Sequence, residues 1–175
     1  MKRRIFVAIP ISDELQQEIE RWEQSFQKFP ARWLLGKNLH ITLVPPWYEE
    51  DIDGVIKKLS SIEMAHDRFV FDFFRVAYGP SVREPRLIWA EGETPSQLLA
   101  LKENIERALN IEPEHRPFKL HLTLARFRPE TFSLFPTKKL DEHVAWHQIC
   151  DSFVLMESHL SRAGADYEII KSFAL

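Results

Sequence analysis

The chain has 175 residues, 45% hydrophobic, 28% charged and 12% aromatic, which is enough apolar material for one packed core and rules out a disordered or collagen-like chain. Its 23 Lys and Arg stand against 26 Asp and Glu, a formal net charge of -3, so any polyanion has to be held by a local patch rather than by the molecule's overall charge. The single cysteine, Cys150, cannot form an internal disulfide, and no apolar run approaches the roughly 18 residues of a membrane span; the expectation is a cytoplasmic protein with no membrane contact.

The basic start Met1 to Arg4 leads into only five apolar residues, Ile5 to Ile9, before Pro10, which predicts a buried strand rather than an export signal. Ser12 then caps a predicted helix whose Leu15, Ile19, Trp22 and Phe26 share one face. After Pro30, Trp33 to Leu35 turns at Gly36-Lys37-Asn38 into Leu39 to Val44, read as a hairpin whose second strand is ended by Pro45-Pro46. A helix over 51–64 precedes a long strand over 68–78, with a bend that shifts its buried face. Gly79-Pro80 and Pro85 bracket a turn before a strand over 86–91, and Thr94-Pro95 opens a helix with Leu98, Leu101, Ile105 and Ala108 on one side. Strands follow at 119–127, 152–160 and 167–173, with Gly164 turning between the last two, while 131–146 reads as loop plus a short helix. No linker or low-complexity tract divides the chain, so residues 1–175 are expected to form a single two-lobed domain.

Asn38-Leu39-His40-Ile41-Thr42-Leu43 recurs as Lys119-Leu120-His121-Leu122-Thr123-Leu124, each copy preceded by a helix and a turn. Because strand side chains alternate, His40 and Thr42 leave one face while Leu39, Ile41 and Leu43 leave the other, and the second copy repeats this with His121 and Thr123. The duplication predicts an α+β fold, bilobal, with two antiparallel sheets facing a central cleft and helices packed outside. Alone, either histidine reads as an ordinary hydrogen-bonded polar residue; the matched pair points to two imidazoles and two hydroxyls lining one cleft.

Unperturbed histidine titrates near 6.5, so one imidazole can accept a proton while the other donates one. An in-line displacement at a phosphodiester needs that pair, each transfer contributing roughly 100-fold to 10,000-fold in rate. The hydroxyls of Thr42 and Thr123 can donate to the non-bridging oxygens and hold phosphorus between the rings. Metal binding is the rival for a chain with seven histidines, but no His-Glu-x-x-His, Cys-x-x-Cys or His-x-His occurs and threonine is a poor zinc ligand; no metal and no cofactor are expected. From Arg116 to Arg128 the sequence RPFKLHLTLARFR carries four cations and no acid around His121, a basic rim suited to phosphate, with Arg116 and Arg126 as candidate phosphate ligands. Arg126 lies five residues beyond His121, on the opposite parity, and reaches the same face only where the strand ends or bulges. Trp33 and Trp47, which flank the first motif, are candidates either for stacking on a base or for the core.

These motifs, with RRIFVAIP, PRLIWA, RPFKLHLTLAR, SFVLMESHL and the closing Gly164, Tyr167 and Phe173-Ala174-Leu175, resemble the two-histidine phosphoesterase superfamily and, within it, the RNA 2′,3′-cyclic phosphodiesterases once called 2′-5′ RNA ligases. The resemblance runs nearly end to end. It implies a metal-free opening of a 2′,3′-cyclic phosphate to a 2′-phosphate, with reversible 2′-5′ ligation as a further activity. Catalysis would rest on His40 and His121, with His40 as proton donor and Thr42 and Thr123 holding the phosphate. RNA ends or small cyclic-phosphate nucleotides would be the partners of a monomer. The family usually continues its first motif with Phe-Leu-Gly, where this chain has Val44-Pro45-Pro46-Trp47, and has proline where Leu120 stands; both departures flank the cleft and bear on substrate preference. Two other readings are the same catalytic set acting on another cyclic or 2′-5′ linked nucleotide, and a non-catalytic RNA-end binding module.

Overall fold

A computed structural model describes residues 1–81, 83–162 and 164–175. The predicted turns after Gly79 and before Gly164 include Val82 and Ala163, which lie outside the described residues. The first apolar run forms β1 (Arg3–Pro10), and Ser12 caps α1 (Asp13–Glu23) by accepting a hydrogen bond from the Leu15 amide. Phe26 falls just past α1 in a 3-10 turn, its ring stacked on Trp22 at 4.2 Å. The chain then makes β2 (Arg32–Trp33), β3 (His40–Glu49), α2 (Ile52–Ser60), β4 (Phe69–Gly79) and β5 (Leu87–Glu91). It finishes with α3 (Ser96–Leu109), β6 (His121–Arg126), β7 (Asp141–Cys150), β8 (Ser152–Ser161) and β9 (Gly164–Ala174).

Two antiparallel sheets result, one in the order β3-β1-β8-β9 and the other β2-β6-β5-β4-β7. Setting aside the two-residue β2, the orders are equivalent: each motif strand pairs with the strand that precedes its helix, and two further strands follow outward. The strand–helix–strand units β1-α1-β3 and β5-α3-β6 are the duplicated element that the sequence repeat announces. The sheets approach one another through β3 and β6.

Three expectations are corrected. The hairpin around Gly36 does not form, because Arg32 and Trp33 pair with Arg126 and Ala125 of β6 in the other sheet. Pro45 and Pro46 do not end β3, which continues to Glu49: consecutive strand amides point to opposite sides, so the open edge accommodates one proline, and the register shift between Ile5 and Val7, where neither proline has a paired residue, accommodates the other. The stretch read as loop and helix holds a 3-10 turn at Pro129–Leu134 and then the ten-residue β7. The bend expected in the fourth strand is present as a register shift between Phe73 and Arg75.

β1 is buried on both faces, which explains why it reads as a continuous apolar run rather than an alternating one. Ile5, Val7 and Ile9 join the main core with Leu15 and Ile19 of α1, Leu98 and Ile105 of α3, and the apolar faces of β3 and β6. Phe6 and Ala8 point the other way and form a separate small cluster with Val154 and Met156 of β8, which floors the cleft beside Tyr167. The residues paired with Ala8 and Pro10 are Thr42 and His40, so the polar face of the first motif lies on that floor.

Candidate active site

The burial patterns of the two motif strands are identical over six residues, from His40 to Pro45 and from His121 to Arg126: half-buried, buried, half-buried, two buried, exposed. The two consecutive buried residues mark a β-bulge in each strand. On β1 the neighbours Val7 and Ala8 pair with Val44 and Thr42, leaving Leu43 extra. On β5 the neighbours Ile88 and Trp89 pair with Ala125 and Thr123, leaving Leu124 extra. A bulge reverses parity, so the residue three beyond each threonine returns to the cleft face. In the second strand that residue is Arg126, the one whose access had depended on such a bulge; in the first it is Pro45.

Both imidazoles are oriented in the same way. His40 Nδ1 donates to the carbonyl of Asn38 and His121 Nδ1 to the carbonyl of Lys119, each at 2.8 Å and each two residues back. This bond consumes Nδ1 and leaves Nε2 of each ring as the free proton acceptor or, once protonated, donor. Phe6 and Tyr167 pack against His40 with ring centroids 4.9 and 5.1 Å away, and Trp89 lies 4.8 Å from His121. Burial is the main force on both groups. It pushes His40 down to about 4, against the Asn38 hydrogen bond and with added repulsion from Arg126 and from His121. His121 is also lowered, by burial first, with Lys119 and Arg126 lowering it further and its Lys119 hydrogen bond and Glu91 opposing. Arg126 acts on both rings, consistent with its return to the cleft at the bulge.

A cavity of about 350 Å³ opens beside His121, lined among others by Thr42, Trp89, Arg86, Arg116, Lys119 and Pro45. Arg116 is thus on the cavity's rim, exposed, with Glu114 3.9 Å away. Arg126 and Arg128 line a separate recess with Arg32. Trp33, half-buried, packs edge-on against Trp22 at 6.1 Å, and Trp47, also half-buried, packs against the main core.

Sequence reasoning missed several residues that build the site. Buried Asn38 ties β9 to the first motif, accepting from the Tyr167 amide at 3.1 Å and donating to the Ala165 carbonyl at 3.3 Å, so Tyr167 is held over His40. Thr94 accepts from the Leu120 amide at 2.9 Å and anchors the second motif. Glu91, paired with His121, is buried among cations. Only Asn38, directly before a motif, carried a local signal. Among the described residues the one group of side chains close enough to share a metal ion is Glu157, His159 and Glu168, on β8 and β9; neither motif histidine belongs to it.

Fold and site together define a duplicated two-sheet protein that presents a pair of His-x-Thr strands to one cleft. The chain belongs to the 2′-5′ RNA ligase superfamily, whose sequence model matches residues 11–162. It is similar to the RNA 2′,3′-cyclic phosphodiesterase of Methanocaldococcus jannaschii, at 22% identity over 97% of this chain and 99% of that protein. A protein of the same name from Aquifex aeolicus is 24% identical over 98% of this chain and 97% of its own length. Among solved structures, E. coli LigT complexed with 3′-AMP is similar with a TM-score of 0.78 and 23% identity, covering 100% of this chain and 99% of that one.

Proposed function

We propose that the protein is a metal-independent RNA 2′,3′-cyclic phosphodiesterase that opens the cyclic phosphate at an RNA end and leaves a 2′-phosphate. The observation that carries this reading is the matched pair of imidazoles, each with Nδ1 committed to its own backbone and Nε2 left for proton transfer. The names of the two curated relatives and the nucleotide held by LigT point the same way.

Phosphorus sits between the two Nε2 atoms, its non-bridging oxygens accepting from the hydroxyls of Thr42 and Thr123 and facing the Arg126 guanidinium. Arg116, on the cavity rim, meets the strand further from the reacting atom. His121 takes a proton from the attacking water, the new P–O bond forms, the P–O3′ bond breaks, and the imidazolium of His40 protonates O3′. The products are a 3′-hydroxyl and a 2′-phosphomonoester. Because burial holds both free rings neutral near pH 7, the acid gains its proton as the phosphate arrives, the negative charge raising its proton affinity. No nucleophilic side chain and no metal is needed.

Replacing His40 or His121 by Ala is expected to cut turnover of a cyclic-phosphate-ended oligoribonucleotide by at least about 100-fold each, while EDTA leaves the unaltered protein at full rate. Turnover that survives the double replacement, or that returns only when zinc or manganese is added, overturns the reading.

A further inference from the structure

The duplication is broken at one place beside the site. On β1 the residue paired with His40 is Pro10, which carries no charge; on β5 the residue paired with His121 is Glu91. Paired residues of an antiparallel ladder leave the same face, so the Glu91 carboxylate stands on the cleft side next to the imidazole. It is only 8% exposed, a costly position for a carboxylate that lacks partners.

Its partners explain how it is kept. Glu91 accepts from Trp89 Nε1 at 3.1 Å, binds the ammonium of Lys119, and has an Arg75 guanidinium nitrogen 3.8 Å away. Two of these three are the groups that hold His121: the Trp89 ring lies 4.8 Å from the imidazole, and the Lys119 carbonyl takes its Nδ1 proton. The Lys119 ammonium also lies 5.7 Å from the centre of the Trp89 ring, and a side chain at Gly79 would collide with that indole. Trp89 and Lys119 therefore meet at one carboxylate, and His121 lies against both.

We propose that Glu91 is a positioning residue for His121: by gripping Trp89 and Lys119 at once it fixes the orientation of the imidazole, and it places beside that ring a negative charge that His40 lacks. The charged groups that act on His121 are Glu91 on β5, Lys119 just before β6 and Arg126 at its end, with Arg75 on β4 behind the carboxylate and His40 across the cleft on β3; Arg86, Lys102, Glu114 and Arg116 line the same cavity further off. Arg75 is shared with Asp141 of β7, at 2.7 Å. Lys119 and Arg126 are cations, and Glu91 is the anion that acts against them on His121, offsetting the lysine that would otherwise drive the proton from the ring. The duplicated site is thereby made unequal, with His121 the ring that has a carboxylate beside it, as suits the group that takes a proton from water. This inference rests on the phosphodiesterase reading for its purpose, but not for its test.

The test is an NMR titration of the two imidazoles in the unliganded protein, compared with Glu91→Gln and Glu91→Asp. The Gln variant is expected to lower the pKa of His121 by about one unit and leave His40 in place, while Asp, which keeps the charge, stays near the unaltered protein. With a cyclic-phosphate oligoribonucleotide, Gln should lower kcat with little change in KM and move only the limb of the pH profile that His121 sets, and Asp should restore part of the rate. A His121 titration indifferent to Glu91→Gln, or equal shifts at both histidines, overturns the inference whatever the activity. The expected titration without turnover of the oligonucleotide upholds it and sinks the phosphodiesterase reading instead.

Discussion

His40 and His121 share a side chain, an Nδ1 hydrogen bond and a place on their strands, yet each titrates below the ordinary histidine range because burial penalises the imidazolium. The consequence for rate follows from the sign. A bell of this kind breaks at the two histidine pKa values whichever ring is acid and whichever base, the lower value setting the acidic limb and the higher the alkaline one, so lowering both moves both limbs to lower pH. Both limbs of kcat/KM, which reports the free protein, are therefore expected to lie on the acid side of 6.5, with a bell between them. The kcat profile, read in the complex, should be displaced to higher pH by the bound anion. A plot of kcat/KM whose alkaline limb lies above pH 7, or that rises without a maximum, would contradict this account.

The bulge after each threonine decides what else enters the cleft. It returns Arg126 of β6 and Pro45 of β3 to the cleft face, so in the proposed reaction one side of the phosphate would meet a guanidinium and the other an uncharged ring. Replacing Arg126 with Gln removes a cation that lowers both histidines, and the kcat/KM bell should move to higher pH while its height falls by on the order of 10-fold to 100-fold, the range of one charge-assisted hydrogen bond. A profile measured on Arg126→Gln that keeps its position would remove Arg126 from the cleft. The strands that alternate cleanly or run apolar, β1, β3, β6 and β8, were legible in the sequence because their periodicity is a direct product of burial. β7 was not: it is an edge strand whose only buried residues are Trp146, Gln148 and Cys150, one of them polar, so its pattern resembles a loop. The false hairpin at Gly36 had correct local turn chemistry, but the partner of a two-residue strand is chosen by tertiary packing, here against β6.

Duplication organises the whole fold, and it was legible because two copies of a six-residue segment report each other. Both sheets carry their four equivalent strands in the same order, and β3 meets β6 where the sheets approach. What the repeat could not reveal is where the copies differ: Pro10 opposite His40 but Glu91 opposite His121, Pro45 where the other lobe has Arg126, and Tyr167 held over His40 by Asn38. Those differences depend on ladder register, which no single segment encodes. They are also what can give two identical motifs opposite tasks in one reaction. The most direct measurement is phosphorus NMR of an oligoribonucleotide ending in a 2′,3′-cyclic phosphate, incubated with the protein in EDTA. The account predicts that the cyclic signal is replaced by a 2′-phosphomonoester alone, at a rate lost in His40→Ala and in His121→Ala. A 3′-phosphomonoester product, or a cyclic signal that persists until a metal ion is supplied, would contradict it.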